Sequence, residues 1–430
     1  MSVLLAALVA CVNLVFAASS LPEITAVGSK FFTADGDQFY IKGIAYQLIS
    51  LDPLLDEAQC TRDATSMQKL GANAIRVYHV DSTGDHSGCM SAFAEAGIYL
   101  FVDLDTFDTQ INQDSPTWNQ TQLTAFQAVL DEFQQYSNTA GVFVGNEVLT
   151  RANGSGAAPY VKAALRDVKS YRNSKNYRKI PVGYSAADIP ELRPMLQNYF
   201  ACGDDPSINA DFFSLNVYEW CGVSSYQGSG YSMLEQNATG YNIPIFISET
   251  GCRKPAPRLF DDQDSIFGND MAKTWSGAII YEWIEEMNDY GLISYGPKVN
   301  PTISTDALDG FPRSGTPTPV SPDYSNLQQH WATLTPAGVK LAAYTGSTAG
   351  LSPPACPTST KDGWVVNGNA KLPSLGQTLE AAATASSTAP TGSASASASA
   401  TGGGTATGGK EVAGMGLGLV GVMLGFIVWL

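Results

Sequence analysis

Eight short apolar runs punctuate the chain, at residues 39–47, 74–80, 98–104, 141–148, 179–185, 211–220, 243–251 and 277–283. Within them polar positions do not alternate with apolar ones; β-branched and aromatic side chains follow one another, as in Val142-Phe143-Val144 and Ile245-Phe246-Ile247. Such runs fit strands covered on both faces, hence a parallel sheet with helices packed outside it. Between the runs the period changes. Leu123, Phe126, Leu130 and Phe133 recur at spacings of three and four, as do Val161, Leu165 and Val168, which predicts helices over 123–136 and 158–171. Eight strands with crossovers, in a stretch of about 250 residues, predict an α/β fold, a closed (β/α)8 TIM barrel over 22–290. A doubly wound open sheet is the rival, but it wants a glycine-rich phosphate loop after its first strand, and Gly43-Ile-Ala-Tyr-Gln47 is not one. Asp35-Gly36, between two apolar runs, predicts an N-terminal hairpin that caps one end of the fold.

A barrel gathers the carboxyl ends of its strands on one face, so the residues there are the candidate site. They include Tyr46, Gln47, Arg76, Tyr78, Asp103, Asp105, Asn146, Glu147, Asp188, Asn216, Tyr218, Glu219, Glu249, Tyr281 and Glu282. Carboxylates, amides and tyrosines suit a sugar, whose hydroxyls take paired donors and acceptors and whose ring faces take aromatic platforms. Glycosidic cleavage passes through an oxocarbenium-like transition state, so it needs one carboxyl to protonate the leaving oxygen and another to face the anomeric carbon. Glu147 and Glu249, each at the end of an apolar strand, fit those roles. Asn146 is then placed for a sugar 2-hydroxyl, and Tyr281 is expected to hold Glu249 ionised by a phenolic hydrogen bond. Glu147, as the acid, requires surroundings that raise its pKa. Either glutamate alone reads more readily as a helix cap or salt-bridge partner than as a catalyst; the pair is the specific signal. Arg76 is a partner for Asp103, for a catalytic glutamate or for substrate, and Tyr46, Tyr78 and Tyr218 also read as core tyrosines.

Composition narrows the class. The chain has 430 residues, 44% of them hydrophobic, enough for a large core. Its net charge of −16 argues against nucleic acid as a partner. His79, His86 and His330 are its only histidines and no Cys-x-x-Cys repeat is present, so neither a metal nor a cofactor is expected. Residues 1–18 read as a signal peptide cleaved near Ala17 or Ala18, although without a basic n-region. Of seven cysteines, Cys11 leaves with that leader, and the remaining six predict three disulfides in a secreted chain. Sequons at Asn119, Asn153 and Asn237 agree with that route. Residues 291–372 carry Tyr295, Tyr324, Trp331, Cys356 and Trp364 and are expected to form an ordered extension packed on the barrel. Residues 380–409 collapse to Ala, Ser, Thr and Gly, the composition of a flexible stalk open to O-glycosylation. The apolar tail, 410–430, follows small residues and a polar spacer; with no basic residues after Leu430, it reads as a GPI-attachment signal, with attachment near 400–404.

Gly-Asn-Glu at 145–147, Tyr-Arg-Lys-Ile-Pro-Val-Gly-Tyr-Ser-Ala-Ala-Asp at 177–188, Asn-Val-Tyr-Glu-Trp-Cys-Gly at 216–222 and Ser-Glu-Thr-Gly-Cys at 248–252 carry a more specific signal. Together they resemble the fungal β-1,3-glucanosyltransferases of glycoside hydrolase family 72, over about residues 22–372. The resemblance implies a retaining mechanism with Glu147 as acid/base and Glu249 as nucleophile. It also implies glucan contacts at Gln47, Tyr78, Asn146, Tyr218 and Tyr281, to which the strand-end reading adds Asp188. A fragment of β-1,3-glucan would pass to the 3-hydroxyl at the non-reducing end of another glucan, elongating wall glucan. The resemblance further implies disulfides Cys60–Cys89, Cys202–Cys356 and Cys221–Cys252. A GPI-anchored monomer at the outer face of the plasma membrane or in the cell wall is expected. Two departures stand out: Thr250 follows the nucleophile where the family often has Tyr, and the cysteine-rich carbohydrate-binding module of some members has no counterpart here. The alternatives are a secreted endo-β-1,3-glucanase and an inactive glucan-binding wall protein. The second has no need of both glutamates.

Overall fold

The computed structural model describes residues 21–301, 307, 309–344, 351–360 and 363–378. The predicted leader, stalk and apolar tail lie outside them. Every apolar run supplies one strand of a closed parallel barrel. After the hairpin strands β1 (Ile24–Val27) and β2 (Lys30–Thr33), the barrel strands are β3 (Ile41–Ala45), β4 (Ala74–Val77), β5 (Tyr99–Asp103), β6 (Thr139–Asn146), β7 (Val182–Ala187), β8 (Phe212–Asn216), β9 (Ile245–Thr250) and β10 (Trp275–Ile280). They close in chain order, with β10 against β3. Strands β4, β5, β8, β9 and β10 are buried at every residue, which is why their sequences show no alternation.

Strands β3, β6, β7, β9 and β10 start two or three residues from the start of their apolar runs. Strand β6 begins at Thr139, which pairs with Leu100, and β7 begins only after Pro181, whose carbonyl accepts from Val142 N–H at 2.9 Å. The helix predicted from 123 begins at Gln120, because Asn119 and Gln122 form a reciprocal capping box, and ends at Phe133. The hairpin also differs from expectation. Its ladder turns at Gly28 (φ 54°), and Asp35-Gly36 makes a second turn that leads to a single Phe32–Gln38 bridge. The hairpin does close the amino end of the barrel: the Phe31 ring lies 5.8–6.2 Å from those of Phe212, Phe246 and Phe101.

Side chains beyond 290 lie against the barrel's outer layer. Tyr295 donates to Asp63 at 2.6 Å, Tyr324 to the Ser66 carbonyl at 2.9 Å, and Trp331 to Gln263 at 2.9 Å. The Trp364 ring packs on Tyr199, beside a disulfide from Cys202 to Cys356. Two further disulfides, Cys60–Cys89 and Cys221–Cys252, join helices α1 (Glu57–Leu70) and α2 (Ser87–Glu95), and the segments after β8 and β9.

The loops after β3 and β4 are tied together by a buried histidine. His86 bridges Asp52 Oδ2 at 2.8 Å and Glu132 Oε1 at 2.9 Å, and Asp52 also accepts from the N–H groups of Leu54 and Asp81 at 2.7 and 2.8 Å. Burial alone would lower the imidazole pKa; the two carboxylates outweigh it and raise the pKa above its ordinary value. The stabilisation is therefore complete below the ordinary imidazole range and is lost as pH rises through the raised value. His86→Gln is expected to cost about 2 kcal/mol in acid. That gap should shrink as the medium becomes alkaline, as read from urea midpoints of both proteins. A gap independent of pH would mean that His86 acts by packing alone.

Candidate active site

At the carboxyl end of β6 the chain leaves the sheet abruptly. Glu147 adopts a left-handed backbone (φ 47°), uncommon outside glycine, while its N–H still bonds the Ser185 carbonyl at 2.8 Å. This turns its side chain toward Asn216, whose Nδ2 donates to Glu147 Oε1 at 2.9 Å and to Asn146 Oδ1 at 3.1 Å. The orientation of Asn216 is fixed from behind: Ser185 and Ser248 hydroxyls donate to its Oδ1 at 3.0 and 2.8 Å. Arg76 also donates to Asn146 Oδ1, at 3.0 Å. With that oxygen committed, Asn146 offers its Nδ2 donors to a ligand.

Glu249, near the end of β9, has different company. Tyr78 donates to its Oε1 and Tyr218 to its Oε2, each at 2.9 Å, and Arg76 approaches Oε1 at 3.4 Å. Tyr281 is not the residue that grips this carboxylate, contrary to expectation. Its ring instead meets Tyr78 and Tyr290 edge-on, at centroid distances of 6.5 and 5.4 Å, so that tyrosines wall the cleft around Glu249. Arg76 is wholly buried, paired with both oxygens of Asp103 at 2.8–3.0 Å and lying over the rings of Tyr78 and Phe143.

The two glutamates are thereby made unequal. Burial raises the pKa of Glu147, opposed by the Asn216 hydrogen bond and by Arg76. Burial also pushes Glu249 up to about 7, against the pull of Arg76, with the charge of Glu147 adding to the rise. Because the charge of Glu147 raises the pKa of Glu249, the pair resists carrying two charges. Its single charge belongs on Glu249, which has two phenols and the nearer approach of Arg76; the proton belongs on Glu147, which has a neutral amide.

Other predicted residues take supporting places. Gln47 spends its amide on backbone, accepting from Tyr78 and His79 N–H at 2.9 and 3.1 Å and donating to the Ile49 carbonyl at 2.7 Å, and so positions Tyr78. Asp188 sits at the rim in an ion pair with Arg193, which also reaches Glu219 at 3.0 Å. Tyr46 follows the core reading, with its hydroxyl on Asp63 at 2.8 Å. Ser185, Ser248 and Tyr290 escape sequence reasoning, since nothing in a serine within an apolar run says that it orients an asparagine on the next strand. Asn119 and Asn237 are half-buried, and Asn153 is exposed.

Fold and site together define a barrel enzyme equipped to work on glycosidic bonds. The chain belongs to the glucanosyltransferase family, glycoside hydrolase family 72, which matches residues 13–307. It is 40% identical over 362 residues to the 1,3-beta-glucanosyltransferase gas2 of Schizosaccharomyces pombe, an alignment covering 81% of this chain and 74% of that protein. It is 41% identical over 356 residues to protein EPD1 of Candida maltosa, covering 81% of this chain and 61% of that relative. Among solved structures, a mutant of Saccharomyces cerevisiae Gas2p in complex with laminaritetraose and laminaripentaose superimposes with a TM-score of 0.73 at 37% identity, covering 83% of this chain and 75% of that one.

Proposed function

We propose that this chain is a retaining β-1,3-glucanosyltransferase that elongates cell-wall glucan. The observation that carries the reading is the unequal environment of the two glutamates. In the first step Glu249 attacks the anomeric carbon of an internal glucosyl unit; the C1–O3 bond breaks as Glu147 gives its proton to the departing oxygen. A glycosyl ester on Glu249 results, and the shortened glucan leaves. In the second step Glu147, now a base, takes the proton from the 3-hydroxyl at the non-reducing end of another glucan. That oxygen attacks C1 and the ester bond breaks, releasing a longer chain and restoring both carboxyl groups. Asn146 Nδ2 is set to bond the 2-hydroxyl, an interaction that strengthens in the transition state. Tyr78, Tyr218 and Tyr281 supply the walls, with Gln47 and Asp188 flanking them.

The oligosaccharides bound by the Saccharomyces cerevisiae relative support β-1,3-glucan as donor and acceptor. The leader, stalk and tail composition supports export and a GPI anchor at the outer face of the plasma membrane or in the wall, and the three sequons support N-glycosylation at Asn119, Asn153 and Asn237. Among the described residues no helix is long and apolar enough to cross a membrane. The deciding experiment is product analysis by mass spectrometry after incubation with a reduced β-1,3-gluco-oligosaccharide. Products longer than the starting compound are expected. Shorter products alone would make the protein an endo-glucanase, and no reaction would favour a glucan-binding wall protein.

A further inference from the structure

Four large apolar side chains stand exposed on two loops at the carboxyl face of the barrel: Ile49 (44% exposed), Leu51 (76%) and Leu55 (47%) after β3, and Phe107 (63%) after β5. Between these loops lies the Tyr78-His79 turn after β4. The Phe107 ring rests on the His79 imidazole, with centroids 4.1 Å apart and planes inclined at 44°. His79 is itself held by Gln47, which accepts its N–H at 3.1 Å and donates to its carbonyl at 3.3 Å. The turn carrying Phe107 is closed by Thr109, whose hydroxyl accepts from Thr106 N–H at 2.8 Å, and Gln110 donates to the Phe107 carbonyl at 3.3 Å. An aromatic ring is thus presented to solvent on a braced backbone and a ring backing. It is linked to the catalytic carboxylates through one strand end, because Tyr78, the residue before His79, bonds Glu249.

We propose that Phe107, backed by His79, is a platform for a glucosyl ring outside the catalytic pocket, with Ile49 and Leu51 extending the same apolar rim, and that this platform makes the enzyme favour long glucan chains. The proposal rests on the glucanosyltransferase reading and adds to it a determinant of chain length. The occupant is a β-1,3-glucan because the ring that backs Phe107 belongs to the residue next to Tyr78, which bonds the carboxylate read as nucleophile, and Gln47 holds both residues. A pyranose presents an apolar C–H face to an aromatic plane, and a fixed ring binds it with little loss of side-chain freedom.

The test is a set of initial rates on reduced β-1,3-gluco-oligosaccharides of graded length, for the wild type, Phe107→Ala, Phe107→Trp and Val339→Ala. Phe107→Ala should lower kcat/KM for the longest substrates relative to the shortest by about three- to tenfold, through KM. Phe107→Trp, which keeps an aromatic face, should retain the length preference. Val339→Ala, an exposed apolar truncation at the hairpin end of the barrel, should leave that preference unchanged. Equal loss at all lengths, or no loss, in Phe107→Ala with an active wild type would overturn the platform alone. A wild type inactive on every β-1,3-glucan would overturn the functional reading, and the platform with it.

Discussion

Glu249→Gln will lower the rate of glucan transfer by roughly four orders of magnitude or more while leaving the protein folded. The amide keeps the size of the carboxylate, so one of Tyr78 and Tyr218 still donates to its oxygen while the other accepts from its nitrogen, but it cannot form the glycosyl ester. Stability should hold, since Glu249 is 8% exposed and its burial penalises the charge that the substitution removes. Glu147→Gln should fail differently. On a natural glucan it loses about a hundred- to ten-thousandfold, the usual contribution of a general acid. On an aryl glucoside whose leaving group needs no proton, its first step should recover, so that glycosyl-enzyme accumulates. Retention of more than about one hundredth of wild-type rate by Glu249→Gln would show that another group is the nucleophile.

The second large effect belongs to Arg76. Arg76→Met strands Asp103, a carboxylate 1% exposed, without its guanidinium, and removes donors from Asn146 and Ser185. Breaking one side of a buried ion pair costs about 3–5 kcal/mol, a large share of a domain's total stability. Arg76→Met/Asp103→Leu should recover most of that loss, as read from urea denaturation. In the recovered protein Glu249 has lost the cation that holds its pKa down, so the value rises further. The nucleophile must be ionised, hence the acid limb of kcat/KM against pH should move to higher pH than in wild type. A single variant as stable as wild type, or an unmoved acid limb in the double variant, would remove Arg76 from the account.

The barrel was legible because β4, β5, β8, β9 and β10 are buried on both faces, which leaves an unbroken apolar run in the sequence. The glutamate pair was legible for a related reason: a carboxylate that abruptly ends such a run stands at the catalytic face. The partners of each carboxylate were not. Tyr281 and Tyr78 are both strand-end tyrosines, and only three-dimensional placement decides that Tyr78 and Tyr218 reach Glu249. The hairpin was misplaced by one turn because Asp35-Gly36 has the stronger local signal, whereas the ladder forms where Phe31 can plug the barrel. Strand β7 starts late because Pro181 has no N–H to give to a ladder.

The most direct test of the central division of labour is the mass of the protein itself. Glu147→Gln is mixed with an aryl β-1,3-gluco-oligosaccharide bearing an activated leaving group, quenched in acid, and analysed intact and after proteolysis. The expected result is a mass increase equal to the donor fragment, carried by the peptide containing Glu249 and absent from Glu147→Gln/Glu249→Gln. An adduct on any other residue, or conversion of the donor by inversion with no adduct, would contradict it.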